Sequence, residues 1–226
     1  MKKTSLVIAA LSVFLSACNT VNINSDPAAD AQTVVNSSRE VVERFTSSAE
    51  ASAIKGLLSE AKGVIVYPDI VKAAFFIGGE GGTGVLLGRL DDGSWSSPAF
   101  YSFGAASYGF QIGAEQSSVL LIVTNDQTLE RLTEGGIELG VDASVAAGTE
   151  GLKGKVSSDQ LQDIYYFAEV EHGLFAGVNL KGSKAVSRDG LNAAYYGTKV
   201  TPREIVIDGL KTNPGATGLK TALAGS

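Results

Sequence analysis

Residues 63–90 read GVIVYPDIVKAAFFIGGEGGTGVLLGRL, and the Asp91-Asp92-Gly93-Ser94 stretch follows directly. Short β-branched and aromatic runs punctuated by glycine are strand texture, and Asp-Gly is a tight-turn signal. The segment predicts strands at Val64–Tyr67, Ala73–Gly78 and Gly84–Leu90. The same texture continues at Ala99–Phe103, Tyr108–Gly113 and Val119–Thr124, and again at Asp142–Ala147, Ile164–Glu169 and Leu174–Lys181. Glycine makes up 27 of 226 residues, about 12% against a usual 7%. Such an excess points to tight turns and close backbone approach.

The chain on either side reads as helix. Val34, Val41, Val42, Phe45 and Ala49 form one helical stripe, and Ile54, Leu57, Leu58 and Ala61 form a second, out of phase with the first. A break is therefore expected near Ala51–Ala53, with Gly63 as a stop. Asn125 can cap a short helix burying Leu129 and Leu132. Asp189 can cap another through Leu191–Tyr196, and a surface helix is expected after Pro214. The expected fold is α+β: N-terminal helices packed on a curled, mainly antiparallel β-sheet, barrel- or sandwich-like, in a single domain.

The N-terminus carries an address. Lys2 and Lys3 precede an apolar run, Leu6–Ala17, broken only by Ser12 and Ser16, and Cys18 follows. The run is some 12 residues long, whereas a spanning helix needs about 20, so it reads as a secretory signal. Its end, Leu15-Ser16-Ala17-Cys18, resembles the lipobox of bacterial lipoproteins, in which the cysteine thiol is acylated and cleavage falls just before it. Residues 1–17 are the expected signal peptide and Cys18 the lipid-attachment residue. Residues 18–32 are expected to be the lipidated N-terminus and a flexible tether, about 20 Å end to end. Residues 33–224 are the expected domain. Asn19 is not the aspartate that resembles an inner-membrane retention signal. The expected location is thus the outer membrane, anchored by lipid and facing the periplasm.

Composition narrows the chemistry. The chain is 44% hydrophobic, has a mean hydropathy of +0.15 and carries a net charge of -6. Residues 1–17 hold two lysines and no acid, so 16 basic and 24 acidic residues remain after them, net -8. That balance argues against nucleic acid and against broad adhesion to anionic lipid. One cysteine and one histidine exclude a disulfide framework, a Cys/His zinc site and a Cys–His catalytic pair. Gly79–Gly84 contains G-x-G-x-x-G, but strand-like residues follow it where dinucleotide binding needs a helix N-terminus. Asp91–Ser94 has no acidic partner at calcium-loop spacing. His172, beside Glu169 and Glu171, has no second histidine to complete a metal site. Trp95, Phe100, Tyr101, Phe103, Tyr165, Tyr166 and Phe167 read as core rather than as a ligand pocket. No catalytic residue, cofactor or metal is expected.

Several segments together resemble the SYLF domain family: Ala61–Pro68, Gly78–Leu87, Trp95–Tyr101, Gly109–Gly113, Asp142–Gly148, Gly173–Val178 and Tyr195–Gly197. The resemblance spans about residues 33–223. It departs from the family pattern at Ala105-Ala106, Thr149, Asn179 and Lys181. It implies non-enzymatic lipid binding, with phosphoinositides as ligands of eukaryotic members and actin as a partner of some yeast members. In such relatives a basic N-terminal segment meets the membrane. The matching positions here are Arg39, Arg44, Lys55 and Lys62, interleaved with Glu40, Glu43, Glu50 and Glu60. The expected partners are membrane lipid through Cys18 and a lipid or acyl ligand. The sequence names no protein partner, and the alternative role is a structural or partner-binding lipoprotein whose acyl anchor is its sole lipid contact.

Overall fold

The computed structural model describes residues 26–75, 77–108, 113–148, 162–170, 173–175, 180 and 182–226. The expected signal segment, Cys18 and His172 lie outside them. Helix α1 (Pro27–Phe45) starts where local chemistry dictates. The Asp26 side chain accepts the Ala28 N–H at 3.0 Å, and Pro27 occupies the first turn, where its missing N–H is harmless. This corrects the expected tether, because residues 27–32 belong to the helix. Ala31 is fully buried, and the Gln32 side-chain amide donates to the Gly215 carbonyl at 3.0 Å. The break after α1 falls at residues 46–50, earlier than the stripes suggest. Thr46 and Ser48 hydroxyls donate to the Val42 and Phe45 carbonyls, each at 2.8 Å, occupying groups at the helix end. Ala49 is exposed, and α2 (Ala51–Glu60) buries Ile54 and Leu58.

Nine strands form one sheet among the described residues: β1 (Gly63–Phe75), β2 (Ile77–Gly88), β3 (Ala99–Tyr108), β4 (Gly113–Val123), β5 (Ile137–Glu138), β6 (Val145–Ala147), β7 (Ile164–Val170), β8 (Gly173–Phe175) and β9 (Lys184–Ser187). The order is β5-β9-β3-β2-β1-β4-β7-β6, with β8 also on β7. All pairings are antiparallel except β6 with β7. The sheet curls into a half-barrel within a single domain, as the strand pattern predicts. The predicted Val64–Tyr67 and Ala73–Gly78 strands differ from the result. Val64–Tyr67 and Ala73–Phe75 lie in one long strand, β1, carried across a bulge at Pro68, while Ile77 and Gly78 already begin β2. Of the predicted Tyr108–Gly113 strand only the two ends are described, Tyr108 closing β3 and Gly113 opening β4, and residues 109–112 lie outside the described residues; of Leu174–Lys181 only residues through Phe175 are described as strand.

Proline in a central strand removes a ladder donor and is tolerated at a bulge. Register shifts between Val66 and Asp69 against β2, and between Tyr67 and Ile70 against β4. The Pro68 carbonyl accepts the Ser118 hydroxyl at 2.7 Å. Across the ladder, Gly82 and Gly84 leave room for the displaced backbone and the Tyr67 ring.

Strand alternation gives the sheet two buried faces. Val64, Val66, Val85, Leu87, Phe100, Leu120 and Ile122 pack with α1, α2, α4 (Asp189–Tyr196) and α6 (Thr217–Ala224). Ile65, Tyr67, Leu86, Tyr101, Phe103 and Leu121 belong to the opposite cluster, with Leu129 and Leu132 of α3 (Asp126–Glu134) and Ile205 and Val206 of α5 (Pro202–Val206). Trp95, Tyr165 and Phe167 are also buried, in agreement with the core reading of the aromatics. The surface helix expected after Pro214 is α6, which buries Leu219 and Leu223 against the helical layer and leaves Thr217 and Thr221 exposed. Asp189 is the first residue of α4 rather than its cap; its carboxylate accepts the Ser187 hydroxyl at 2.6 Å.

Asn125 caps α3 as the sequence predicts, accepting the Thr128 N–H at 2.8 Å. Its amide donates to Asp163 at 2.6 Å, and the other Asp163 oxygen accepts both the N–H and the hydroxyl of Ser144 at 2.7 Å. Burial pushes the Asp163 carboxyl up, but the Ser144 and Asn125 hydrogen bonds outweigh it and hold the group below its ordinary range. An Asp163→Ala substitution should therefore destabilise the fold by about 1 kcal/mol near neutral pH, the low end for such bonds because the carboxylate is partly exposed. A depressed folded pKa contributes stability above the unfolded value near 4, and loses it as pH falls through the folded value. In urea titrations the gap between the parent and the variant should narrow from pH 7 to pH 3. An unchanged gap would remove ionised Asp163 from this account.

Candidate functional site

Where the helical layer crosses the bulge, a polar cleft of about 340 Å³ opens. The last turns of α1 supply Ser37, Glu40, Val41 and Arg44; β1 supplies Pro68 and Asp69; β4 supplies Gln116, Ser117 and Ser118; and β7 supplies Glu169. The bulge creates the recess, because it displaces the strand backbone beneath α1 and turns the Pro68 carbonyl toward a side chain rather than a ladder donor.

Arg44 is the hub. Its Nε meets Glu169 Oε2 at 3.0 Å and its Nη2 donates to Ser118 Oγ at 3.1 Å. Ser118 in turn donates to Pro68, so one relay ties β7, α1, β4 and β1 together. On the opposite wall, Gln116 Nε2 donates to Asp69 Oδ1 at 2.5 Å. Asp69 and Glu40 are exposed at the mouth. Beyond the cleft Gly79, Gly81 and Gly104 are exposed, as is Val71, the register partner of both Gln116 and Gly81, and nothing overhangs a Cβ placed at Gly104.

The four cations singled out in the sequence do not gather into one patch. Arg39 pairs with Glu43 one turn along α1 at 3.2 Å, Arg44 lies in the cleft, and Lys62 Nζ is 3.4 Å from Asp126 Oδ2. Lys55 is exposed on α2. Gly79–Gly84 lies wholly within β2, with strand and no helix after it. Asp91–Ser94 is a turn in which Asp92 accepts the Ser94 N–H at 2.8 Å and Gly93 takes a φ of 80°. Among the described residues, no three His, Cys, Asp or Glu side chains are grouped to hold a metal. Arg89 lies 4.1 Å from the Trp95 ring centroid and donates to the Leu58 carbonyl at 2.7 Å, so it caps α2 rather than serving a ligand. Asp69, Gln116 and Ser118 belong to no sequence motif; proline inside a strand-like run is the one local sign of the bulge that joins them.

A family model described as Ysc84, Las17-binding protein actin regulator, matches residues 104–226. The chain belongs to the Ysc84 (SYLF) family. The resemblance read from the sequence is thereby borne out. Ysc84-family relatives of this chain include the SH3 domain-containing YSC84-like protein 1 of Rattus norvegicus, 35% identical over 143 residues, 62% of this chain and 42% of the rat protein. An SH3 domain-containing protein of Schizosaccharomyces pombe is 33% identical over 180 residues, 76% of this chain and 41% of that protein. Protein YSC84 of Saccharomyces cerevisiae is 31% identical over 165 residues, 71% of this chain and 35% of its own length. The chain thus spans less than half the length of the curated relatives it matches.

Proposed function

We infer that this chain is a bacterial envelope lipoprotein whose Ysc84 domain acts by binding, without catalysis, at the periplasmic face of the outer membrane. The observation that carries the reading is the position of the sole cysteine, Cys18, directly after Leu15-Ser16-Ala17. The cap of α1 at Asp26 lies eight residues beyond it, a reach of at most about 29 Å, so an acylated Cys18 keeps the domain beside the bilayer. Two or three acyl chains make a durable anchor where one is marginal. Actin is absent from that compartment, so the actin regulation in the family description does not carry over in this reading.

One observation favours the second reading, in which the anchor is the sole lipid contact: Arg39, Arg44 and Lys62 are each engaged by a carboxylate and offer no shared basic face. Intact-mass measurement of the processed protein should find a diacylglyceryl-modified Cys18; an unmodified thiol would overturn the anchoring. Chain from residue 18 carrying Cys18→Ser should then be floated with phospholipid vesicles. Flotation supports lipid binding by the domain itself, and its absence assigns membrane attachment to the anchor.

A further inference from the structure

The central strands run past the helical layer and end together. β1 and β2 close on the pair Phe75–Ile77, and β3 ends opposite Ile77 at Tyr108, so these three residues share the last register row of the sheet. Val71, Gly79, Gly81 and Gln116, a few rows back, are exposed, so the helical layer stops short of this end. The nearest charges along the strands share one row as well: Lys72 pairs with Glu80 on one side and Glu115 on the other. Between that row and the end the sequence is uncharged, over residues 73–79 and 105–114. At about 3.3 Å per residue, the charged row lies about 10 Å behind Phe75. Interfacial elements bury their apolar groups by about 5–10 Å, so the end can enter a bilayer to that depth before charge reaches the headgroups.

The dimensions favour lipid over a protein partner. Three strands at about 4.8 Å spacing make a row about 10 Å across, far short of the roughly 800 Å² per partner that a stable protein interface buries. Apolar insertion has no such threshold, because its gain accrues with each group removed from water. Tyrosine is also a residue favoured at the membrane–water boundary. We propose that the sheet end formed by Phe75, Ile77 and Tyr108 enters the acyl boundary of the bilayer beside which the chain is tethered. The inference rests on the reading that an anchor at Cys18 holds the domain at a membrane, and it names a lipid-contacting surface separate from Arg39, Arg44, Lys55 and Lys62.

The test supplies the tether chemically. Chain from residue 18 is coupled through Cys18, its sole thiol, to a maleimide lipid in vesicles of phosphatidylethanolamine and phosphatidylglycerol, with or without brominated acyl chains. Tryptophan is introduced as a depth reporter by Ile77→Trp or Tyr108→Trp, against the constant background of Trp95, which is buried. Leu210→Trp is the control: Leu210 is exposed and follows Gly209, which sits against Leu90 past the opposite end of β2. Emission from positions 77 and 108 should shift to the blue and fall at least twofold on brominated vesicles, while the control stays unchanged. Adding Ile77→Glu to the Tyr108→Trp chain should abolish the quenching with an unchanged melting curve. The two single reporters keep an apolar or aromatic residue at each position and decide the matter even if the glutamate variant does not fold. No quenching at 77 and 108, equal quenching at 210, or quenching that survives Ile77→Glu in a folded chain would each overturn the proposal. A blue shift without bromine quenching would mean that protein covers this end, and would overturn it too. Because coupling replaces acylation, none of these results depends on whether cells modify Cys18, which the mass measurement tests separately.

Discussion

Gly84→Ala is expected to destabilise the protein by about 3 kcal/mol or more, one methyl group notwithstanding. A Cβ at this position overlaps the Val66 carbonyl oxygen and the Tyr67 ring, both in the central strand β1. Neither can yield cheaply. Val66 carries the last register pair before the bulge, and Tyr67 is fully buried with its ring edge-on to Phe103 at 5.4 Å between centroids. For a chain of this size each kcal/mol shifts the midpoint by about 2–4 °C, so a fall on the order of 10 °C is expected in thermal melts. Gly104→Ala is the control. It lies on the adjoining strand, a Cβ there meets nothing within 4 Å, and its stability should change by less than about 1 kcal/mol. Equal effects at the two positions would show that the bulge does not set the demand for glycine.

Phe45→Ala should destabilise by about 3–5 kcal/mol, the range for emptying an aromatic site in a packed core. Phe45 is 1% exposed at the end of α1, in the cluster that joins the helical layer to β1, β2 and β4. The comparison that matters is Ala49→Glu. Helical periodicity places Ala49 on the same stripe as Phe45, yet the chain has left the helix by Thr46 and Ala49 is exposed. Its substitution should stay within about 0.5 kcal/mol of the parent in chemical denaturation. A large loss at Ala49 would mean that the helix continues past Phe45 and that the hydroxyl-terminated break at residues 46–50 is wrong.

The contrast between those two residues illustrates what sequence pattern conveys. A stripe at 3.6-residue spacing identifies a buried helix face, but it continues on paper wherever an alanine happens to fall in phase. The end of the helix depends on the Thr46 and Ser48 hydroxyls reaching back to carbonyls. The start carries competing signals: Asp26-Pro27 is a cap followed by a first-turn proline, set in a segment whose small polar composition suggests a tether. β1 shows the reverse difficulty. Pro68 divides it into two apparent strands, and only its neighbours β2 and β4 show one strand with a bulge.

The candidate site was the least legible part. Its residues come from four elements between positions 37 and 169, and most are serine, glutamine or acidic side chains that anywhere else would be ordinary surface. The residues that did stand out as cations are held apart: Arg39 pairs with Glu43 within α1, whereas Arg44 and Lys62 meet carboxylates brought in by β7 and α3.

By itself the chain's order of residues determined the class of fold, the strand-rich middle, the capped helix after Asn125 and the family, since these rest on local periodicity, turn chemistry and contiguous motifs. Which strands lie side by side, that both faces of the sheet are covered, and that Arg44 meets Glu169 over a bulge at Pro68 were decided by the tertiary structure. The reason is physical: pairing and burial are settled by the joint packing of segments far apart in the chain, and no local pattern encodes which distant partner will be there.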